Sequence, residues 1–133
     1  MPAKGQHLYV RPMVSADRTA IAEFLAREAP ECDPPAEGVI GKLVGDLVAL
    51  AGTRRHDDEV IIEVVVVANS LRRKRIGRVL IEALATCAAS PAPRWLVARK
   101  EESTVAFLHR LGFHDRGDSV VRRIEPGSDK VGP

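Results

Sequence analysis

The 133 residues carry 20 Lys and Arg against 18 Asp and Glu, a formal net charge of +2, and 45% of the side chains are hydrophobic while 29% are charged. This is globular composition with length for one core, which excludes a disordered chain, leaves too little for a second domain, and lacks the broad basic face of a protein that lives on nucleic acid. No apolar run reaches bilayer length and the opening MPAKGQH has no signal-peptide core, so the expected setting is cytoplasmic, away from membranes. Cys32 and Cys87 are too few and too far apart for a disulfide scaffold. His7, His56, His109 and His114 show no metal-ligand spacing, and no metal is expected.

In chain order, Leu8 to Met13 reads as a strand. Ser15 or Asp17 then caps a helix in which Ile21, Phe24 and Leu25 recur at helical spacing up to about Glu28. Pro30, Pro34 and Pro35 make Ala29 to Gly38 a stiffened loop carrying Glu31, Asp33 and Glu37. Leu43 to Ala51 is strand-like, Thr53 to Glu59 reads as a hairpin turn, and Val60 to Val67 is apolar except at Glu63, as suits a central strand covered on both faces. Ile76, Val79, Leu80, Ala83, Leu84 and Cys87 then trace one face of a helix, which Pro91 and Pro93 end. Trp95 to Ala98 follows as a strand, completing a strand–helix–strand unit that must pair in parallel with a right-handed crossover. Val105, Leu108 and Leu111 mark a last helix, capped by Ser103 and stopped by a left-handed Gly112. One or two short strands lie in His114 to Val121, and residues from about 126 to 133 form a frayed tail.

The chemistry concentrates where the apolar strand meets the second predicted helix. Arg72, Arg73, Lys74, Arg75 and Arg78 surround a helix start at Gly77, where unpaired backbone N–H groups and the helix dipole attract phosphate. Rossmann and P-loop patterns both fail, since Gly77 is the only glycine between Thr53 and Leu111. Arg72 to Gly77 instead resembles the [RQ]-x-x-G-x-[GA] acyl-CoA-binding signature of the GNAT superfamily of N-acyltransferases, with Arg75 in place of the first glycine. Glycine there permits close backbone approach, so the contact depends on the sign of φ at Arg75. Glu101 to Phe113 resembles the family's N-x-x-A-x-x-F-Y-x-x-x-G-F segment, with Phe107, Leu111, Gly112 and Phe113 in register. Tyr9-Val10-Arg11-Pro12 and Ala16-Asp17 look like its first strand and helix entry.

The resemblance implies a mixed α/β domain over residues 1–133: a central, mostly antiparallel twisted sheet, one parallel βαβ cleft for CoA, and helices on both faces. It implies an N-acetyltransferase that transfers acetyl from acetyl-CoA to a primary amine by direct attack in a ternary complex, without a metal. Arg72, Arg73, Lys74, Arg75, Ile76, Gly77 and Arg78 would hold the pyrophosphate. Backbone groups of Val65, Val66 and Val67 would line the pantetheine lane, with the Val67 N–H stabilising the oxyanion. Glu63 is either the matching general base or a carboxylate paired with Arg54, Arg55 or another cation of the sheet, and Phe107 and a Ser103 hydroxyl border the donor. Leu108 stands where the family often has its acidic Tyr, leaving water or His109 for that step, and Glu101 replaces an Asn that contacts pantetheine. Glu31, Asp33 and Glu37 are either solvated or draw a cationic amine. The alternatives are a GNAT-like module that binds acyl-CoA without turnover and, from another class, nucleic-acid binding through LRRKR; the chain is a monomer or a homodimer.

Overall fold

The computed structural model describes residues 8–71, 75–87 and 95–124. Its strands are β1 (Tyr9–Pro12), β2 (Glu37–Leu43), β3 (Asp46–His56), β4 (Glu59–Val67), β5 (Trp95–Arg99), β6 (His114–Arg116) and β7 (Ser119–Arg123), and its helices α1 (Arg18–Glu28), α2 (Ile76–Cys87) and α3 (Val105–Arg110). The strands join in one sheet in the order β1-β2-β3-β4-β5-β7-β6. Every neighbouring pair is antiparallel except β4 with β5, which α2 connects. That is the mixed sheet with one βαβ unit that the sequence led us to expect. The second half follows the expected elements closely, including Gly112 at φ 92 after α3 and a final two-strand hairpin.

The first half differs at two turns. Residues 43–51 are not one strand after a loop: β2 and β3 form a hairpin that reverses at Val44 and Gly45, with φ 51 and 84. A β-branched residue rarely takes positive φ, so this reversal carries no Asn-Gly or Asp-Gly signal. Nor is 53–59 all turn, because β3 runs on to His56 and reverses at Asp57, φ 55, a residue type that tolerates this conformation.

Alternation along β2 and β3 feeds two cores on opposite faces of the sheet. Val39, Ala49 and Ala51 pack with Leu80, Leu84 and Leu96 beneath α2 and α3. Ile40 and Leu50 pack with Ile21, Phe24 and Leu25 beneath α1. The predicted face of α2 is rotated: Ile81 is 1% exposed and Val79 41%. The helix carries more apolar residues than one stripe holds, and it turns the Ile81 flank inward while Glu82 bonds Arg122 of β7 at 2.9 and 3.1 Å. The Cys87 side chain lies outside the described residues.

Asp17 does not cap α1 through its side chain. Its carboxylate takes both Nη atoms of Arg11 at 2.8 Å and the Val14 N–H at 2.8 Å, pinning the chain between β1 and α1. The Arg11 hydrogen bond first, and the Val14 N–H second, lower its pKa to about 2. A depressed carboxylate pKa contributes stability above the ordinary range that is lost as pH falls through the folded value. We expect Asp17→Asn to cost about 1–2 kcal/mol near neutral pH, allowing for solvent screening of the pair. The gap from wild type should close between about pH 4 and about pH 2. Denaturant titrations along an acid series measure it, and a gap that stays constant would show that this pair is not its source.

Candidate active site

The decisive feature is where β4 and β5 stop pairing. Their parallel ladder runs from Glu59↔Trp95 to Ile62↔Ala98 and ends there, although β4 continues to Val67 and β5 to Arg99. At the same place the β3–β4 register shifts: Thr53 faces Ile62 and Gly52 faces Val64, leaving Glu63 as the extra residue of a bulge. A bulge bends its strand and increases the local twist. Its effect is visible in the packing, since Val60 and Ile62 belong to the α2 core whereas Val64 and Val66 belong to the α1 core. Counting by twos from Val60 therefore fails beyond Glu63.

The parted strands open a cleft of about 300 Å³. Residues 62–65 of β4 form one wall; Ile81, Ala98, Arg99, Glu101, Thr104, Phe107 and Leu108 form the rest. From Glu63 to Val65, the β5-facing edge of β4 has no strand partner among the described residues, so its backbone can pair with an extended ligand. On the α1 side of the same stretch lies a second groove of about 350 Å³, bounded by Glu28, Ala29, Glu31, Cys32 and residues 64–67. The expected cover on both faces of β4 is missing from its second half, which is open to a groove on each, and Val65 is 41% exposed.

At the far end of β4 the chain turns into α2. Arg75 is exposed with φ 65, and its carbonyl accepts the Val79 N–H at 3.2 Å, opening the helix. The position at which the motif has glycine thus does require a left-handed residue, at a cost of roughly 1–2 kcal/mol for a side chain with a Cβ. Ile76 is buried in the α2 core, whereas Arg78 is exposed. A Cβ on Gly77 would lie 3.5 Å from the Phe107 ring, an ordinary contact. Phe107 therefore touches the start of α2 and lines the cleft, joining the two ends of the site. Arg72, Arg73 and Lys74 lie outside the described residues.

The remaining predicted residues divide. Glu63 borders the cleft at its apex, and its Oε2 accepts the Arg54 Nε–H at 2.8 Å. Val65 faces the cleft; Val66 is buried in the α1 core, and Val67 packs half-buried against the α2 core and borders the second groove. Ser103 is exposed and does not border the cleft, whereas Thr104 does. Positions 101, 104, 107 and 108 share one face at helical spacing, a count that points to Thr104 over Ser103. Leu108 is buried and offers no hydroxyl. His109 meets Asp115 at 2.6 Å on the β6 side, away from the cleft, and there it and Lys100 lower the Asp115 pKa. Of the acidic loop, Glu31 reaches the second groove, Glu37 lies in β2, and Glu28, unpredicted, joins Glu31 while accepting the Asn69 N–H at 2.9 Å. Among the described residues no cluster of His, Cys, Asp or Glu is arranged to hold a metal, and no helix is long and apolar enough to cross a membrane.

A strand pair that parts beside a bulge, with the cationic side chains of Arg75 and Arg78 at a helix start beyond it, defines a mixed α/β architecture with an open cleft beside an anion-attracting helix N-terminus. The acetyltransferase (GNAT) family model matches residues 6–113, and the chain belongs to that family. No curated protein matches it by sequence. Among solved structures it is similar to the ribosomal-protein-S18-alanine N-acetyltransferase of Escherichia coli, at 16% identity and TM-score 0.71, covering 96% of this chain and 100% of that one. N-acetylglutamate synthase from Neisseria gonorrhoeae, complexed with coenzyme A and L-arginine, matches at 19% identity and TM-score 0.70 over 88% of this chain. The chain spans only 33% of that synthase. A GNAT family N-acetyltransferase from Escherichia coli in complex with CoA matches at 15% identity and TM-score 0.71, covering 93% and 84% of the two chains. At these identities the likeness is one of fold.

Proposed function

We propose that the chain transfers an acetyl group from acetyl-CoA to a small cationic primary amine by direct attack in a ternary complex. The observation that carries this reading is the pair of grooves flanking one stretch of β4, since both border Val64 and Val65. Donor and acceptor can then approach from opposite faces and meet beside Glu63. The donor cleft suits the pantetheine arm, with a free strand edge for its amides and apolar side chains for its methylenes. Arg75, Arg78 and the N–H groups opening α2 suit the phosphates, together with Arg72, Arg73 and Lys74. Glu28 and Glu31 rim the second groove over a valine floor, a combination that favours an alkylammonium acceptor.

Chemically, the Glu63 carboxylate first takes one proton of the alkylammonium through water; the freed amine nitrogen then bonds to the acetyl carbon as the C–S bond breaks, and the second N–H proton passes through solvent to the departing thiolate. With the thioester beside Glu63, the oxyanion donor in this reading is a β4 backbone N–H at the bulge, because Val67 stands four residues, about 13 Å, further along the strand. A thiol has a pKa near ~8.5 against ~10.4 for an alkylamine, so the thiolate leaves without a dedicated acid and Leu108 does not block turnover. The competing reading, a module that binds acyl-CoA without turnover, draws on that same Leu108 and on the ion-paired Glu63. CoA release with a panel of diamines, amino acids and peptide amines separates them, because release at the buffer hydrolysis rate with every acceptor would leave only the binding module.

The donor itself is tested by thermal shift. Acetyl-CoA or CoA at a hundredfold excess over its Kd should stabilise the fold by about 2.7 kcal/mol, several degrees for a chain of this length, while ATP does not match it. Gly77→Ala should keep the shift, because a Cβ there meets only Phe107 at 3.5 Å, and Gly77→Trp should abolish it. Equal shifts with ATP and acetyl-CoA, or none with either, would defeat the donor assignment.

A further inference from the structure

Opposite β4, the donor cleft is walled by apolar side chains and three polar ones: Arg99, Glu101 and Thr104. An arginine only donates hydrogen bonds and an ionised glutamate only accepts them. Thr104 is the one side chain on that wall, among the described residues, that can do both. Its hydroxyl is also uncommitted. Thr104 holds the N-cap position of α3, where a threonine oxygen ordinarily accepts an N–H of the first turn, yet no such bond forms. Capping needs an extended backbone, and Thr104 sits at φ −125, ψ −10. Its own backbone is satisfied, the N–H bonding Glu101 O at 3.0 Å and the carbonyl accepting Leu108 N–H at 3.0 Å. The side chain is therefore free to serve a ligand that lies between α3 and the unpaired edge of β4.

We propose that Thr104 positions the pantetheine arm, its hydroxyl bonding an amide of the arm from the side opposite β4. The inference rests on the acyl-donor reading above and adds a residue to it. An amide chain held from both sides cannot slide along the cleft, so the thioester is brought to Glu63 in one register. Phe107 and Leu108, the cleft residues that follow Thr104 on α3, are apolar, which makes Thr104 the fixed point on that wall.

Calorimetric titration of the whole protein with CoA, and with adenosine 3′,5′-bisphosphate as the phosphate end without pantetheine, tests this. Thr104→Val should weaken CoA about fivefold, the worth of one ordinary hydrogen bond, and leave the bisphosphate unchanged. Thr104→Ser should restore CoA affinity, which a purely structural role for the β-branched side chain would not allow. CoA binding unaffected by Thr104→Val, or CoA and bisphosphate weakened alike, would overturn the assignment while leaving the acyl-donor reading intact. A wild-type protein that binds neither compound would overturn both.

Discussion

Gly38→Ala is expected to lower the melting temperature more than any single-methyl change elsewhere in the sheet. Gly38 has φ 140, a conformation that L side chains rarely adopt, and an added Cβ would sit 2.0 Å from the Ala51 carbonyl oxygen and 3.0 Å from Gly52 Cα. Neither neighbour is the end of a flexible side chain; both are β3 backbone, so β2 and β3 would have to separate. The strained φ and the overpacking together come to about 4 kcal/mol, on the order of 10–15 °C for a domain of this size. Gly45→Ala is the control: its φ is 84, but nothing lies within 4 Å, and only the conformational cost of about 1–2 kcal/mol applies. Similar melting temperatures for the two variants would show that the close approach at Gly38 is not rigid. The effect reaches the site because Gly38 pairs with Gly52, and Gly52 with Val64, beside the bulge. Gly52 is itself closed in: an added Cβ there would lie 2.5 Å from Pro35 Cβ and 2.9 Å from Val64 Cγ1. A shift of β2 is thus transmitted along one row to the residue that follows Glu63.

This row also marks the limit of what the residues reveal on their own. The strand, the basic turn and α2 are legible because they are local: an apolar run, clustered cations and a helical period need only neighbouring residues. The place where β4 and β5 part is not local. It depends on the β3–β4 register, and neither Thr53 nor Gly52 announces which residue of β4 it will face. Glu63 is the lone charge between Val60 and Val67, but its position at the bulge and its bond to Arg54 emerge only from that register. Arg75 shows the reverse case. Its place in the motif identified a position at which φ matters, and the left-handed value follows from geometry that a non-glycine residue gives no sign of adopting. The groove beneath α1 was least visible, since Glu28 and Val64 to Val67 are distant in sequence and meet only because α1 packs on β4.

Glu63→Gln should reduce kcat about a hundredfold for alkylamine acceptors, the lower range for loss of a positioned base. Acetyl-CoA affinity should not change, because the donor is held by β4 backbone and the start of α2. Stability should change little: the Glu63 and Arg54 side chains are 45% and 56% exposed, and such pairs are worth less than about 1 kcal/mol. The separating observation is the response to pH. Without a base the variant can use only amine that is already unprotonated, so its rate should climb about tenfold per pH unit towards the acceptor pKa near ~10. An acceptor whose amine is free at neutral pH should lose much less than an alkylamine when Glu63 is replaced. Arg54→Ala distinguishes a base from a structural ion pair, since it removes the partner and leaves the carboxylate; activity should survive it. If Arg54→Ala and Glu63→Gln fall equally, and neither recovers at high pH, the two residues act as a strut across the bulge and the proton must leave by another route.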